Sequence, residues 1–268
     1  MDRIAPKKSL GQNFLIDKNI SRKIVSLLDL QSQDYVLEIG PGTGALTELL
    51  LANDINLTAV ELDKRAVELL NSKFTKDAYP NFKLVLSDIR DFNIYEYAGQ
   101  NKIKSIGNIP YYISADILFQ LFENAQSLDR TIIMVQKEVA KRIVASPNTK
   151  DYGIISVAAG LISESNIAFD VPATCFYPVP KVTSAIVHIT YKNNLPEGIT
   201  FRAIMKFVKA AFSQRRKTLR NSLRSYLNSY PAELSERFIA THEHELTLRA
   251  EALSVEQFIQ LYSDLISK

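Results

Sequence analysis

The 268-residue sequence has one cysteine, Cys175, so no internal disulfide framework holds it together and a reducing compartment suits it. It has only three histidines, and neither CxxC nor HxxxH occurs, which argues against a structural zinc site. No metal is expected. Long hydrophobic runs are also missing: the longest uncharged apolar stretch, Gly153–Ser163, has 11 residues, against the roughly 20 that span a bilayer. The opening residues, MDRIAPKKSLGQNF, carry charges with no apolar core behind them, unlike a secretory signal. These absences lead us to expect a soluble cytoplasmic protein with no membrane partner. What is present is ordinary for a globular chain, at 46% hydrophobic and 23% charged residues. A chain of this length can bury roughly 70–75% of its unfolded surface without staples.

Net charge is only +3, but its distribution is uneven. Asp34–Glu96 holds 11 acids against 6 bases, and Tyr226–Lys268 holds 7 acids against 3 bases. Between them, Arg202–Arg224 carries 8 bases (Arg202, Lys206, Lys209, Arg215, Arg216, Lys217, Arg220, Arg224) and no acid. A solvated helix face usually mixes signs. A one-sign block in a nearly neutral chain points to a phosphate backbone.

Short β-branched runs at Tyr35–Ile39, Leu57–Val60, Lys83–Leu86, Ser105–Gly107 and Thr131–Gln136 alternate with helical stretches at Thr43–Ala52, Asp63–Phe74, Ser114–Phe122 and Glu138–Ala145. Strands that are apolar throughout are buried on both faces, so the alternation predicts a mostly parallel, doubly wound α/β sheet. Two further runs, Ser165–Val171 and Ser184–Tyr191, are joined by the proline-rich VPATCFYPVPKV. That loop is too short for a crossover helix, so an antiparallel last strand is expected. Beyond it the pattern is helical only, with a 3.6-residue period over Phe201–Phe212, a stripe at Leu219, Leu223 and Leu227, and helices around Ala232–Ala240 and Ser254–Ile266. Ser254 and Gln257 read as a capping box. The expected division is an α/β domain over 1–193 and a small all-α domain over 194–268.

The first strand runs into Glu38-Ile-Gly40-Pro-Gly42-Thr-Gly44. Glycine suits a sharp turn and the close approach of a ligand to the main chain. Glu61 ends the next strand, 21 positions after Gly40, which suits ribose hydroxyls, and Asp88 ends the third. The carboxyl rim of such a sheet is where ligands bind. A nicotinamide enzyme would prefer GxGxxG around a pyrophosphate. Here the spacing is GxGxG with Glu38 two residues ahead, which suits a cationic, amino-acid-bearing ligand and points to S-adenosylmethionine.

The fourth strand leads into Asn108-Ile109-Pro110-Tyr111. An exocyclic adenine amine is a poor nucleophile because its lone pair is delocalised into the ring. The Asn108 side-chain oxygen and the Ile109 carbonyl, which Pro110 biases outward, supply two acceptors for its hydrogens. Tyr111 offers a ring to stack on the base. No strong base is required, since the methyl leaves a sulfonium and the proton can pass to water.

On Lys8–Leu15 (KSLGQNFL), Val36–Thr47 (VLEIGPGTGALT), Val60–Asp63 (VELD), Asn108–Ser114 (NIPYYIS), Met134–Val139 (MVQKEV), Phe176–Val187 (FYPVPKVTSAIV) and Phe212–Leu223 (FSQRRKTLRNSL), the sequence resembles the ribosomal RNA adenine dimethyltransferases. The resemblance spans nearly the whole chain. It implies a Rossmann-like methyltransferase fold and a helical RNA-docking domain. It also implies methyl transfer from S-adenosylmethionine to the N6 amines of two adjacent adenosines near the 3′ end of small-subunit (16S) rRNA, by a monomer acting on the assembling 30S particle. By the same resemblance, Asn13 and Leu15 fold over the cofactor, Gly40 lies against its methionine portion, and Gly42 and Gly44 shape the loop. Glu61 then takes the ribose, Asp88 the cofactor's adenine amine, and Asn108 lies between cofactor and target. Tyr111 and Phe176 would sandwich the flipped adenine. Arg215, Arg216, Lys217, Arg220 and Arg224 are expected to meet rRNA, with Arg216, Arg220 and Arg224 on one helix face. One departure stands out: Tyr112 occupies a position that is often asparagine in this family.

Four other readings compete. A macrolide-resistance-type large-subunit rRNA methyltransferase shares the glycine loop and NIPY, but FSQRRKTLRNSL and KVTSAIV favour the small-subunit enzyme. A DNA adenine methyltransferase would need a target-recognition domain, for which the stretch after residue 194 is short. A non-catalytic factor on the same fold has no physical reason to retain Asn108–Tyr111. A nicotinamide oxidoreductase is the most distant.

Overall fold

In the computed structural model, which describes residues 4–7, 10–192 and 195–267, the apolar runs form strands with bounds close to the expected ones. In chain order these are β1 Phe14–Leu15, β2 Tyr35–Ile39, β3 Asn56–Glu61, β4 Phe82–Leu86, β5 Ile103–Asn108, β6 Leu128–Gln136, β7 Ser163–Val171, β8 Phe176–Tyr177 and β9 Ser184–Tyr191. Seven make one sheet in the order β4-β3-β2-β5-β6-β9-β7, while β1 and β8 pair antiparallel as a separate ribbon. The pairs among β2 to β6 are parallel. β9 runs antiparallel to β6, from Arg130↔Thr190 to Gln136↔Ser184. The mostly parallel, Rossmann-like sheet is therefore as expected, with β9 lying inside it and β7 at its edge.

Val36, Leu37, Ala59, Ile106, Ile132 and Ile133 on the central strands are fully buried, as continuous apolar strands require. A file of hydroxyls crosses this core. Ser105 Oγ lies 2.5 Å from Thr131 Oγ1, which lies 2.9 Å from the Tyr191 hydroxyl. Each buried polar atom there answers another, so none is left without a partner. At Gly107 a Cβ would stand 2.7 Å from the Ile39 carbonyl oxygen, so only glycine lets β5 lie this close to β2.

The chain divides into two compact units, one of residues 1–140 and 165–191, the other of residues 141–164 and 192–268. The expected boundary residues, Asn193 and Asn194, lie outside the described residues, as do Lys8 and Ser9 of the first family block. Residues 141–164, within the expected α/β domain, cluster instead with the helical unit. Two contacts give the reason. The helix Ile154–Ile162 meets the helix Val255–Ile266 at Gly160, where a Cβ would stand 2.6 Å from Val255 Cγ2. The Tyr152 hydroxyl donates to the Leu253 carbonyl at 2.8 Å. Within this unit the helix Phe201–Ala211 buries Phe207 against Tyr226, Phe258 and Tyr262. The capping box at Ser254 and Gln257 is formed. Among the described residues no helix is long and apolar enough to cross a membrane, and no group of three or more His, Cys, Asp or Glu could hold a metal ion.

Candidate active site

An open cleft lies at the carboxyl ends of β2 to β5, the rim at which α/β sheets bind small molecules. The loop after β2 forms its floor. Gly40, Gly42 and Gly44 have φ of 67°, 57° and 86°, a left-handed region that side chains rarely tolerate. A Cβ at Gly40 would meet only the Asn108 carbonyl oxygen, at 3.7 Å, so the main chain there is open to a ligand. Gly44 does something else. It is not among the residues lining the cleft, and a Cβ on it would stand 2.9 Å from Leu70 Cδ2. The loop also shortens the helix expected over Thr43–Ala52 to Thr47–Leu50, because a residue at Gly44's φ cannot continue a right-handed helix.

Two carboxyls lie under this loop. Glu61 is 7% exposed; its Oε2 accepts from the Gly42 N–H at 3.0 Å and its Oε1 from the Asp63 N–H at 2.8 Å. Burial raises its pKa despite both bonds. Glu38 is 1% exposed and accepts from the Thr47 hydroxyl at 2.8 Å. Burial pushes its pKa up to about 8, with the Glu61 charge adding to the shift. At the rim, Asp88 caps the short helical turn Ile89–Asp91 and pairs with the Arg90 guanidinium at 2.6 Å, which holds its carboxyl below the usual range.

Residues 10–15 form one wall of the cleft, a strap laid along it. Asn108 Nδ2 donates to the Asn13 carbonyl at 2.9 Å. This bond turns the Asn108 side-chain oxygen away from the strap, and among the described residues nothing donates to it. Leu15 lines the cleft and pairs with Phe176 across the β1–β8 ribbon. Phe14 covers the loop, with ring carbons 3.1 Å from where a Gly42 Cβ would be. The strap's anchor was not anticipated from the sequence. Asp63, 2% exposed, accepts from Gln12 Nε2 at 3.0 Å and pairs with Arg65 at 2.5 Å and Lys7 at 3.7 Å, while Arg65 Nη1 donates to the Ala5 carbonyl at 3.0 Å. These partners hold the Asp63 carboxyl far below the usual range, the Arg65 bond being the largest cause. The only signal was Asp63 itself, an acid at the N-cap of the helix Lys64–Lys73.

Of the expected site residues, Asn13, Leu15, Gly40, Gly42, Glu61, Asp88, Asn108, Ile109, Pro110 and Tyr111 all line the one cleft. The Tyr111 hydroxyl lies 2.6 Å from Ser184 Oγ, which fixes the ring. Phe176 differs: it is 1% exposed and packs in the core with Leu15, Val171, Cys175 and Ile186. In this conformation it is a core aromatic, and presenting it to a base requires β8 to shift.

In the helical unit Arg215, Arg216, Lys217, Arg220 and Arg224 are all exposed. The shared helix face expected for Arg216, Arg220 and Arg224 is not formed. Residues 212–216 are turns, and Arg220 and Arg224 belong to separate short helices, Leu219–Ser222 and Arg224–Leu227. Leu219, Leu223 and Leu227 are nonetheless buried and hold the segment down. Arg215 pairs with Glu251 at 3.4 Å. The other four have no carboxylate partner among the described residues.

A family model described as ribosomal RNA adenine dimethylase matches residues 4–266. A protein of Chlorobium phaeobacteroides (strain BS1) named ribosomal RNA small subunit methyltransferase A is 41% identical over 266 residues, covering 98% of this chain and 94% of its own. A protein of the same name from Mycoplasma mobile (strain ATCC 43663 / 163K / NCTC 11711) is 45% identical over 219 residues, covering 82% and 83%. Among solved structures, a dimethyladenosine transferase from Plasmodium falciparum has the same fold, with a TM-score of 0.81, 24% identity, and coverage of 92% and 95%. The 23S rRNA methyltransferase ErmE superposes with a TM-score of 0.68 at 25% identity, covering 95% and 100%.

Proposed function

Because this chain belongs to the ribosomal RNA adenine dimethylase family, we propose that it methylates the N6 amines of two adjacent adenosines near the 3′ end of small-subunit rRNA. The methyl donor is S-adenosylmethionine and the product is N6,N6-dimethyladenosine. The observation that carries the reading is Asn108, whose orientation by Asn13 leaves its side-chain oxygen free at the mouth of the cleft.

The residues present fit the cofactor. The floor at Gly40 lacks a Cβ where a ligand would lie. Glu61 accepts from the backbone N–H groups of Gly42 and Asp63, and a carboxylate's four lone-pair sites leave room for a ribose hydroxyl. Glu38 is a buried acid with no cationic partner among the described residues, which suits a positively charged ligand. When bound, S-adenosylmethionine supplies an electrophilic methyl group on a sulfonium. The chain's own part is positioning. Asn108 and the Ile109 carbonyl accept from the two hydrogens of the target amine and keep its lone pair out of the ring. Tyr111, fixed by Ser184, stacks on the base. The strap excludes water from one side, and the released proton passes to solvent. Arg216, Lys217, Arg220 and Arg224 hold rRNA phosphates in the helical unit, offsetting the few kcal/mol needed to unstack an adenine.

Small-subunit rRNA is favoured over large-subunit rRNA because relatives named for the small subunit reach 41–45% identity, against 25% for ErmE. The test is transfer of labelled methyl to purified small subunits lacking the modification, with naked rRNA and large subunits as controls. Label confined to small subunits is expected. Label in large subunits alone would overturn the assignment.

A further inference from the structure

Tyr112 is an exposed aromatic of the cleft that the reaction above does not use. It lines the cleft yet is 59% exposed. Its backbone belongs to the helical turn Tyr111–Ile113, closed by the Ser114 hydroxyl donating to the Tyr111 carbonyl at 2.8 Å. One edge of the ring rests on Gly11, where a Cβ would stand 3.1 Å from Tyr112 Cδ1. Gly11 has φ +57°, a further reason why glycine is suited there. The ring is thus held along one edge while much of it faces solvent. At the same rim the Arg90 guanidinium is engaged by two carboxylates, Asp88 at 2.6 Å and Asp116 at 3.9 Å. Arg90 is itself 47% exposed, and Leu62, another residue of the cleft, is 45% exposed.

A braced, solvent-facing aromatic ring is the kind of platform on which single-stranded bases stack. The groups assigned to the cofactor, Gly40, Glu61 and Asp88, are each less exposed than Tyr112, whose solvent-facing ring suits the second reactant. We propose that Tyr112 is a stacking platform for the nucleotide next to the target adenosine, so that this ring sets which of two neighbouring adenosines enters the cleft. The inference rests on the rRNA reading above.

The experiment compares the wild type with Tyr112→Ala and Tyr112→Phe, using small subunits lacking the modification as substrate. Because one stacked base is worth roughly 5- to 100-fold in binding, Tyr112→Ala should raise KM for the subunit by a factor in that range. Its kcat and its calorimetric affinity for S-adenosylmethionine should stay at wild-type levels. Tyr112→Phe keeps the ring and should keep the wild-type KM. A short RNA carrying 2-aminopurine beside the target adenosine supplies a second readout. Its fluorescence should be quenched on binding the wild type and Tyr112→Phe, and not on binding Tyr112→Ala. An unchanged KM for Tyr112→Ala would overturn the proposal. So would weakened cofactor affinity with unaltered RNA binding, since the ring would then serve only to brace the strap through Gly11. Failure of the rRNA reading itself is distinguishable, because the wild type would then leave small subunits unlabelled before any variant is compared.

Discussion

Replacing Glu38 with glutamine should make the protein more stable at neutral pH. The carboxyl is 1% exposed and bonded to the Thr47 hydroxyl, with the Glu61 carboxylate as its charged neighbour. Its pKa rises from 4.5 to about 8 on folding, so between those values the folded chain holds a proton that the unfolded chain has released. Stability must then fall as pH rises through this window and level off above it. At about 1.4 kcal/mol per pH unit, the loss between pH 5 and pH 7.5 amounts to roughly 3 kcal/mol. Glutamine keeps the acceptor for Thr47 and has no proton to lose. The gap between Glu38→Gln and wild type, from urea melts without ligand, should therefore widen by roughly 3 kcal/mol from pH 5 to pH 7.5. The cost at pH 7.5 is what a binding site retains when it keeps an acid for a cationic ligand. Accordingly, wild-type affinity for S-adenosylmethionine should rise as pH approaches 8, with proton release seen as a buffer-dependent heat, and the variant should show neither effect. Stability curves for the two proteins that run parallel across this range would refute the reasoning.

Three further outcomes are expected. Asn108→Ala should lower the methylation rate about 100-fold, the scale of one lost oriented group, with RNA binding nearly unchanged; a variant that turns over normally but binds RNA tenfold worse would reassign the residue to positioning. Removing the charges of Arg216, Arg220 and Arg224 together should leave cofactor affinity intact and flatten the dependence of log affinity for small subunits on log salt by about 0.9 per lost phosphate contact; two parallel lines would show that these arginines do not touch RNA. Gly44→Ala should cost about 1–3 kcal/mol of stability from its backbone alone, readable in melts, and a variant as stable as wild type would contradict the left-handed conformation at Gly44.

What could be read in the sequence follows the range of the interaction concerned. β2 and β9 fall at the expected residues because continuous apolar runs define them locally. Gly40, Glu61, Asp88 and Asn108 converge because each ends a strand, and parallel pairing brings strand ends to one rim. The helix Ile154–Ile162 was missed because its residues are apolar all round, which gives no helical phase to detect. The anchoring of Gln12 on Asp63 spans 51 positions and has no local signature. The face expected for Arg216, Arg220 and Arg224 came from spacing alone, and spacing does not show that the helix is broken on both sides of Thr218 and at Leu223.

The β1–β8 ribbon also bears on how the protein is made. Phe14 leaves the ribosome 163 residues ahead of its partner Tyr177. At roughly 5–20 residues per second, the strap waits on the order of 8–30 s for the strand it pairs with. Through that interval the glycine loop, β3 and β5 are already synthesised, but the cleft lacks the paired strand that secures one wall. The cleft is therefore complete only once Tyr177 has emerged, so a nascent chain stalled before Tyr177 should retain S-adenosylmethionine poorly even with every residue that lines the cleft present.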